Sequence, residues 1–351
     1  MKDNQGYLII NLDTETLLDK EAEILNNKFI GGVLLFEHNF INLDQIKSLI
    51  ADIKSINSNL LIAIDHEGGR VQRFKKGFTS LPSFNSIGNI YEEDPNLGEK
   101  IAYYAGYIAG YELKEIGVDV NFSPVVDLST NSNVLSSRTF SKSSIDVVRL
   151  SLSYIDGLID NGIIPTLKHY PGHGCVSGDT HTDLMSCKMS WEEIHKHLIV
   201  FEKIYNKQDI PIMTSHIQFN NISKDPVTTS SKWLNEIPSK VFGKFPFFIS
   251  DDLEMLGIKK HYPELSKLSI LEKTLAEGCS MAIVTTMQDK KIIEEKRSYL
   301  FYKNEYLDKL NSQNFHPRNI NLPCSHELTY NKGDVNTYLK ATEVVGRHIK
   351  E

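Results

Sequence analysis

The sequence predicts an α/β chain folded as one (β/α)8 barrel. Short apolar runs recur eight times along it. Amphipathic stretches of helical period separate them, and strands that alternate with helices pair in parallel through right-handed crossovers. No G-x-G-x-x-G follows the first run, which speaks against an open dinucleotide-binding sheet and leaves eight units to close on themselves.

The first strand is read at Tyr7–Ile10 and the second at Gly32–Phe36, with the helical stretch Leu43–Ile56 after it. Strands three and four, Leu60–Ile64 and Val118–Phe122, enclose a long amphipathic stretch, Leu97–Ile116. Ser144–Asn161 leads to strand five at Pro165–His169, and Trp191–Lys207 to strand six at Pro211–Thr214. Strand seven is Phe247–Ser250. Leu265–Glu277 repeats Leu268, Leu271 and Leu275 at helical spacing and leads to strand eight, Met281–Val284. Residues 7–285 are thus the expected core barrel. Residues 286–351 are polar and less patterned and are read as C-terminal helices and a tail, with Tyr338–His348 as the closing helix. No Pro-, Gly- or Ser-rich linker divides the chain, so one domain over residues 1–351 is expected.

The composition narrows the function classes. At 351 residues with 40% hydrophobic and 24% charged side chains, the chain can bury a large core without staples. A net charge of −7, with the basic pairs Lys75-Lys76, Lys259-Lys260 and Lys290-Lys291 scattered, argues against nucleic-acid binding. No run of about 18 apolar residues predicts a membrane span. Met1–Gly6 runs into the first strand without the apolar core of a signal peptide. Cys175, Cys187, Cys279 and Cys324 lack C-x-x-C spacing, and reduced thiols in a reducing compartment are expected.

In such a barrel the active site sits at the C-terminal ends of the strands. Strand three ends in Asp65-His66-Glu67-Gly68-Gly69-Arg70-Val71-Gln72-Arg73. Strand four ends in Asn121 with Asp127 beyond it, strand five in Lys168-His169, and strand six in Ser215-His216. Strand seven delivers Asp251-Asp252. A single polar strand end has an ordinary structural explanation; five that converge on one rim point to chemistry there. The loop after strand five carries His169, His173, Asp179 and His181 among glycines and Pro171. Its Asp179-x-His181 pair has the form of a carboxylate that orients an imidazole base. Asp251, at the end of an apolar strand, is a natural placement for a nucleophile, while the pleat turns Asp252 away toward a structural or capping role.

These blocks, in this order, resemble the single-domain bacterial β-N-acetylglucosaminidases of glycoside hydrolase family 3. The likeness covers residues 7 to 285. It rests on Gly31–Phe36, Ile64–Phe74, Asn121–Leu128, Arg138-Thr139-Phe140, Lys168–Gly174 and Ile249–Met255. The resemblance implies Asp251 as the residue that forms the glycosyl-enzyme and His181 as general acid/base with Asp179 as its partner. It implies Asp65, Arg73, Arg138, Lys168 and His169 as the residues that hold N-acetylglucosamine. It further implies a retaining exo-glycosidase of the cytoplasm that acts on N-acetylglucosamine-anhydro-N-acetylmuramyl peptides in peptidoglycan recycling. No metal and no organic cofactor are implied, no nucleic-acid or membrane partner, and a monomer is expected. Ser136, Ser280 and Thr285-Thr286 depart from the family pattern, and Thr182–Met185 lacks the proline that often follows the Asp-x-His pair.

Two rival readings predict different residues. A metal-dependent amidohydrolase barrel needs H-x-H at the end of strand one, which here reads Ile10-Asn11-Leu12-Asp13. A barrel that only binds sugar has no use for both a nucleophile and an acid.

Overall fold

The computed structural model describes residues 6–128, 135–176, 183–285 and 334–348. Along the chain lie β1 (Leu8–Asn11), α1 (Asp19–Leu25), β2 (Ile30–Leu35), α2 (Leu43–Ile56), β3 (Leu61–Ile64), β4 (His66–Gly68) and β5 (Val71–Gln72). There follow α3 (Phe84–Glu93), α4 (Pro95–Ile116), β6 (Val120–Asn121), α5 (Ser144–Ile159), β7 (Ile164–Pro165), β8 (Leu167–Tyr170) and β9 (Ser186–Cys187). The rest are α6 (Trp191–Tyr205), β10 (Ile212–Thr214), β11 (Gln218–Phe219), α7 (Ile237–Val241), β12 (Phe248–Asp252), α8 (Leu256–His261), α9 (Lys267–Glu277), β13 (Met281–Val284) and α10 (Val335–His348).

One sheet runs in the order β7-β6-β3-β2-β1-β13-β12-β10-β8, and every neighbouring pair in it is parallel. Its two ends, β7 and β8, are halves of one stretch broken at Thr166. β7 pairs with β6, and β8 pairs with β10 and meets Val125 through a parallel bridge, so the sheet closes. Counted this way, all eight strands read from the sequence are present in a closed (β/α) barrel.

Two apolar clusters follow from the alternation of side chains along each strand. Ile9, Leu34, Ala63, Val120, Phe122, Met213, Ile249 and Ile283 fill the barrel interior. Leu8, Ile10, Val33, Leu35, Ile62 and Ile64 face outward against the helices.

The helices begin and end where local chemistry allows. Asn42, Ser83, Asp94, Ser143, Ser190 and Ser266 each accept a backbone N–H at a helix start, and Pro95 occupies the first turn of α4. α4 and α5 pack so closely that a Cβ on Gly106 would lie 2.0 Å from the Tyr154 carbonyl oxygen.

The sequence reading did not include the β4–β5 hairpin or α3. Both interrupt the run between strand three and α4, where the apolar period is short. Of the C-terminal segment, residues 286–333 lie outside the described residues. The closing helix is seen at Val335–His348 and packs on α4. Its Tyr338 ring stacks on Tyr111 at 4.5 Å, and its hydroxyl donates to Glu112 at 2.8 Å. Among the described residues no helix is long and apolar enough to cross a membrane.

Candidate active site

At the C-terminal rim a buried charge cluster joins β3, β4, β8 and the turn at Ser136–Arg138. The Lys168 ammonium is 2% exposed and donates to Asp65 Oδ1 at 2.7 Å, with Glu67 Oε1 2.8 Å away. Arg138 grips Glu67 in a fork, Nε to Oε2 at 2.8 Å and Nη2 to Oε1 at 2.7 Å. Arg73 reaches Asp65 Oδ2 at 3.3 Å and lies over the Phe36 ring at 5.4 Å. Burial alone would raise both carboxyls. For Asp65 the charges of Lys168 and Arg73 outweigh it and hold the group well below the usual carboxylate range. For Glu67 those of Arg138 and Lys168 bring it down to about 2.

The hairpin that carries Glu67 is pinned at its base. Both amide groups of Asn121 bond the His66 backbone, its Oδ1 accepting at 2.9 Å and its Nδ2 donating at 2.9 Å, as a neighbouring strand would. The turn then needs glycine: Gly68 has φ of 108°, and a Cβ there would meet the Pro82 carbonyl oxygen at 2.4 Å.

A second cluster is built on Asp127. Its Oδ2 lies 2.8 Å from Nδ1 of His169, and its Oδ1 accepts the His173 backbone N–H at 2.6 Å. Burial would raise Asp127, but the bond and charge of His169 lower it to about 2. The ionised carboxylate fixes the orientation of the His169 ring through Nδ1. Burial and neighbouring His169 bring His173 down to about 4, against the opposing charges of Asp127 and Asp251. His173 is therefore neutral at pH 7.

Asp251 and Asp252 end β12 and make different contacts. Asp251 Oδ1 accepts the Asp252 backbone N–H at 2.8 Å. Asp252 turns toward β13, accepting from the backbone N–H groups of Glu254 at 3.0 Å and Thr285 at 3.1 Å and from the Thr285 hydroxyl. His216 fixes the same backbone from the other side: Nε2 lies 2.9 Å from the Asp252 carbonyl oxygen and Nδ1 2.8 Å from the Thr228 hydroxyl.

Burial raises the Asp252 carboxyl to about 6. A raised acid favours the fold while it is protonated. That contribution is complete below about pH 3.8 and is lost as pH rises through about 6. The loss is at most about 3 kcal/mol. Urea midpoints at pH 4.5 and 7 should show this slope, and Asp252→Asn should flatten it even though the variant is less stable overall. An unchanged slope in the variant would show that another group titrates.

The structure thus brings Asp65, Arg73 and Lys168 into direct contact, joins Arg138 to them through Glu67, and places His169 beside them on Asp127. Asp251 reaches the group through its charge on His173. Asp179 and His181 lie outside the described residues. Among the described residues no group of three His, Cys, Asp or Glu side chains could hold a metal ion. The cluster combines fixed carboxylate acceptors with fixed cationic donors, the groups that match a small ligand rich in hydroxyls.

Glu67 is the residue that reading the sequence missed, because the glycines after it suggested only a turn. The signal was its spacing: Asp65 and Glu67 are two apart in extended chain and so share a face. Glu67→Gln should cost about 3 kcal/mol, since it leaves Arg138 and Lys168 under-compensated in a buried site. Urea denaturation measures this, and a midpoint equal to that of the unchanged protein would contradict it.

Residues 8–306 match the glycosyl hydrolase family 3 N-terminal domain. A beta-hexosaminidase of Psychromonas ingrahamii is 35% identical over 279 residues, 79% of this chain and 81% of that protein. One from Neisseria gonorrhoeae is 35% identical over 299 residues, 84% and 81% of the two chains. Among solved structures, native NagZ from Neisseria gonorrhoeae superposes with a TM-score of 0.82 at 28% identity, covering 99% of both chains. The same protein in complex with N-trifluoroacetyl-D-glucosamine gives 0.83, again at 28% identity and 99% coverage of both.

Proposed function

Because the chain belongs to glycosyl hydrolase family 3 and is a glycoside hydrolase, we propose that it is a retaining exo-β-N-acetylglucosaminidase with Asp251 as its nucleophile. The observation that carries this reading is the convergence, on one barrel rim, of the Asp65–Lys168–Glu67–Arg138 cluster with the strand-end carboxylate Asp251. The relatives named above as beta-hexosaminidases, and the neighbour that holds an N-acylglucosamine analogue, support the same sugar.

A retaining glycosidase needs a nucleophile on one face of the anomeric carbon and a proton donor on the other. Asp251 attacks that carbon as His181 protonates the departing oxygen, and a glycosyl-enzyme ester forms. His181 then takes a proton from water, which attacks the same carbon, and the ester breaks with the original configuration restored. Asp179 beside His181 favours the imidazolium and keeps a proton available near pH 7. Neutral His173 leaves no full positive charge beside Asp251 to blunt its attack.

Asp65, Arg73, Arg138, Lys168 and His169 hold the sugar. Ionised Asp65 accepts from two hydroxyls at once, and the cations donate to ring substituents. Glu67 occupies Nε and Nη2 of Arg138 and so fixes the plane of its guanidinium.

The proposal extends to one barrel domain, acting as a monomer in the cytoplasm on N-acetylglucosamine-anhydro-N-acetylmuramyl peptides. Two assays test it. With 4-nitrophenyl N-acetyl-β-glucosaminide, proton NMR should show the β-anomer of N-acetylglucosamine forming first; the α-anomer would overturn retention. Muropeptide should be cleaved faster than chitobiose; the reverse would assign the enzyme to chitin fragments.

A further inference from the structure

The Gly31–Phe36 stretch gives the charge cluster no polar side chain, yet its last residue meets it. β2 and β3 run in register with Leu35 opposite Ile64, so the next residues, Phe36 and Asp65, leave the sheet side by side. Leu34 and Ala63 face the barrel interior, and the alternation along each strand turns Phe36 and Asp65 to that same face at the mouth. Phe36 is still extended, with φ of −122° and ψ of 173°, and packs half-buried on the interior cluster.

The Phe36 ring meets two neighbours from the rim. Arg73 lies over it, with Cζ 5.4 Å from the ring centre. His38 lies nearly parallel to it, with 11° between the planes and 5.9 Å between the centres. The His38 side is anchored. Its Nε2 lies 2.8 Å from the Leu12 carbonyl oxygen. Buried Asn39 donates to that oxygen at 3.2 Å and to the Thr14 carbonyl at 2.8 Å, and its Oδ1 accepts the Phe36 N–H at 2.9 Å. The loop after β2 is thereby fixed to the loop after β1, and Phe36 with it.

Arg73 has less to hold it. Among the described residues its side chain hydrogen-bonds only Asp65, Nη2 to Oδ2 at 3.3 Å, and its Nε is buried without a partner. One long bond at the tip of a flexible stem leaves the guanidinium plane unset, whereas a ring face beneath it sets that plane.

We propose that Phe36 is a positioning residue for the sugar site: its ring, backed by His38, holds the Arg73 guanidinium where it meets the sugar. The part of Arg73 in holding sugar rests on the glycosidase reading; the hold of the ring on Arg73 does not. The contact needs a π face and not only apolar bulk, so leucine can fill the space without replacing the ring. A fixed donor to the sugar binds ground state and transition state alike, so its misplacement shows in KM and not in kcat.

A double-mutant cycle on the full-length protein, with 4-nitrophenyl N-acetyl-β-glucosaminide as substrate, tests the proposal. Phe36→Leu should raise KM about fivefold while kcat stays within about twofold. Phe36→Tyr, which keeps the ring face, should stay within about twofold of the unchanged protein in both. In an Arg73→Met background Phe36→Leu should change KM less than about twofold, because the ring then has no cation to hold. Should Phe36→Leu fail to fold, Phe36→Met takes its place in the cycle. An equal rise in KM in both backgrounds overturns the proposal, as does a fall in kcat with KM unchanged, or a loss in Phe36→Tyr as large as in Phe36→Leu. An unchanged protein without turnover counts against the glycosidase reading. Urea midpoints of the same four proteins then decide the ring contact, non-additive shifts supporting it and additive shifts overturning it.

Discussion

Asp251→Asn is expected to lower turnover of an aryl N-acetyl-β-glucosaminide by at least about 10⁴-fold while the fold survives. The size follows from the chemistry. Without a carboxylate no glycosyl-enzyme forms, and activating the leaving group cannot compensate. The selectivity follows from the structure. Asp251 is at a strand end with one oxygen on its neighbour's N–H, a bond that asparagine can keep. Asp252 instead holds three donors and ties β12 to β13. Asp252→Asn should therefore show in stability as well as rate. Initial rates paired with urea denaturation separate the two, and a loss below about tenfold in Asp251→Asn would remove the residue from the chemistry.

His181→Ala is expected to slow hydrolysis of a natural disaccharide by about 10²–10⁴-fold, the usual worth of general acid catalysis. The loss should depend on the leaving group. A sugar alkoxide leaves poorly without a proton, whereas an activated phenolate barely needs one. Formation of the glycosyl-enzyme from a 2,4-dinitrophenyl glycoside should thus be nearly normal in the variant, and a burst of phenol should precede slow deglycosylation. Asp179→Asn should show a smaller loss of the same kind, because the imidazole remains without its charged partner. Pre-steady-state kinetics measure this, and equal losses for good and poor leaving groups would show that His181 is not the proton donor.

The barrel was legible because its strands are buried on both faces and so read as continuous apolar runs, such as Ile62, Ala63 and Ile64 before Asp65. The structural role of Asp252 was legible from the pleat, and its carboxylate accepts the backbone N–H groups of Glu254 and Thr285. Other features were not. The β4–β5 hairpin is too short to carry a period, and its geometry depends on Asn121, a residue far away in sequence that stands in for a paired strand. Glu67 was hidden by the same turn. Its burial makes sense only once Arg138 and Lys168 arrive from other elements to offset its charge. His216 could be placed at a strand end, but its bond to the Asp252 carbonyl needs the neighbouring strand in view.

The most direct test of the account is to trap the covalent intermediate. A 5-fluoro-N-acetylglucosaminyl fluoride should inactivate the enzyme with time, since the ring fluorine slows both formation and breakdown of the ester while the activated fluoride leaving group restores the rate of its formation. Peptic digestion and mass spectrometry should then place a single sugar on Asp251. A label on Asp252 or another carboxylate, or inactivation with no covalent sugar, would contradict the account.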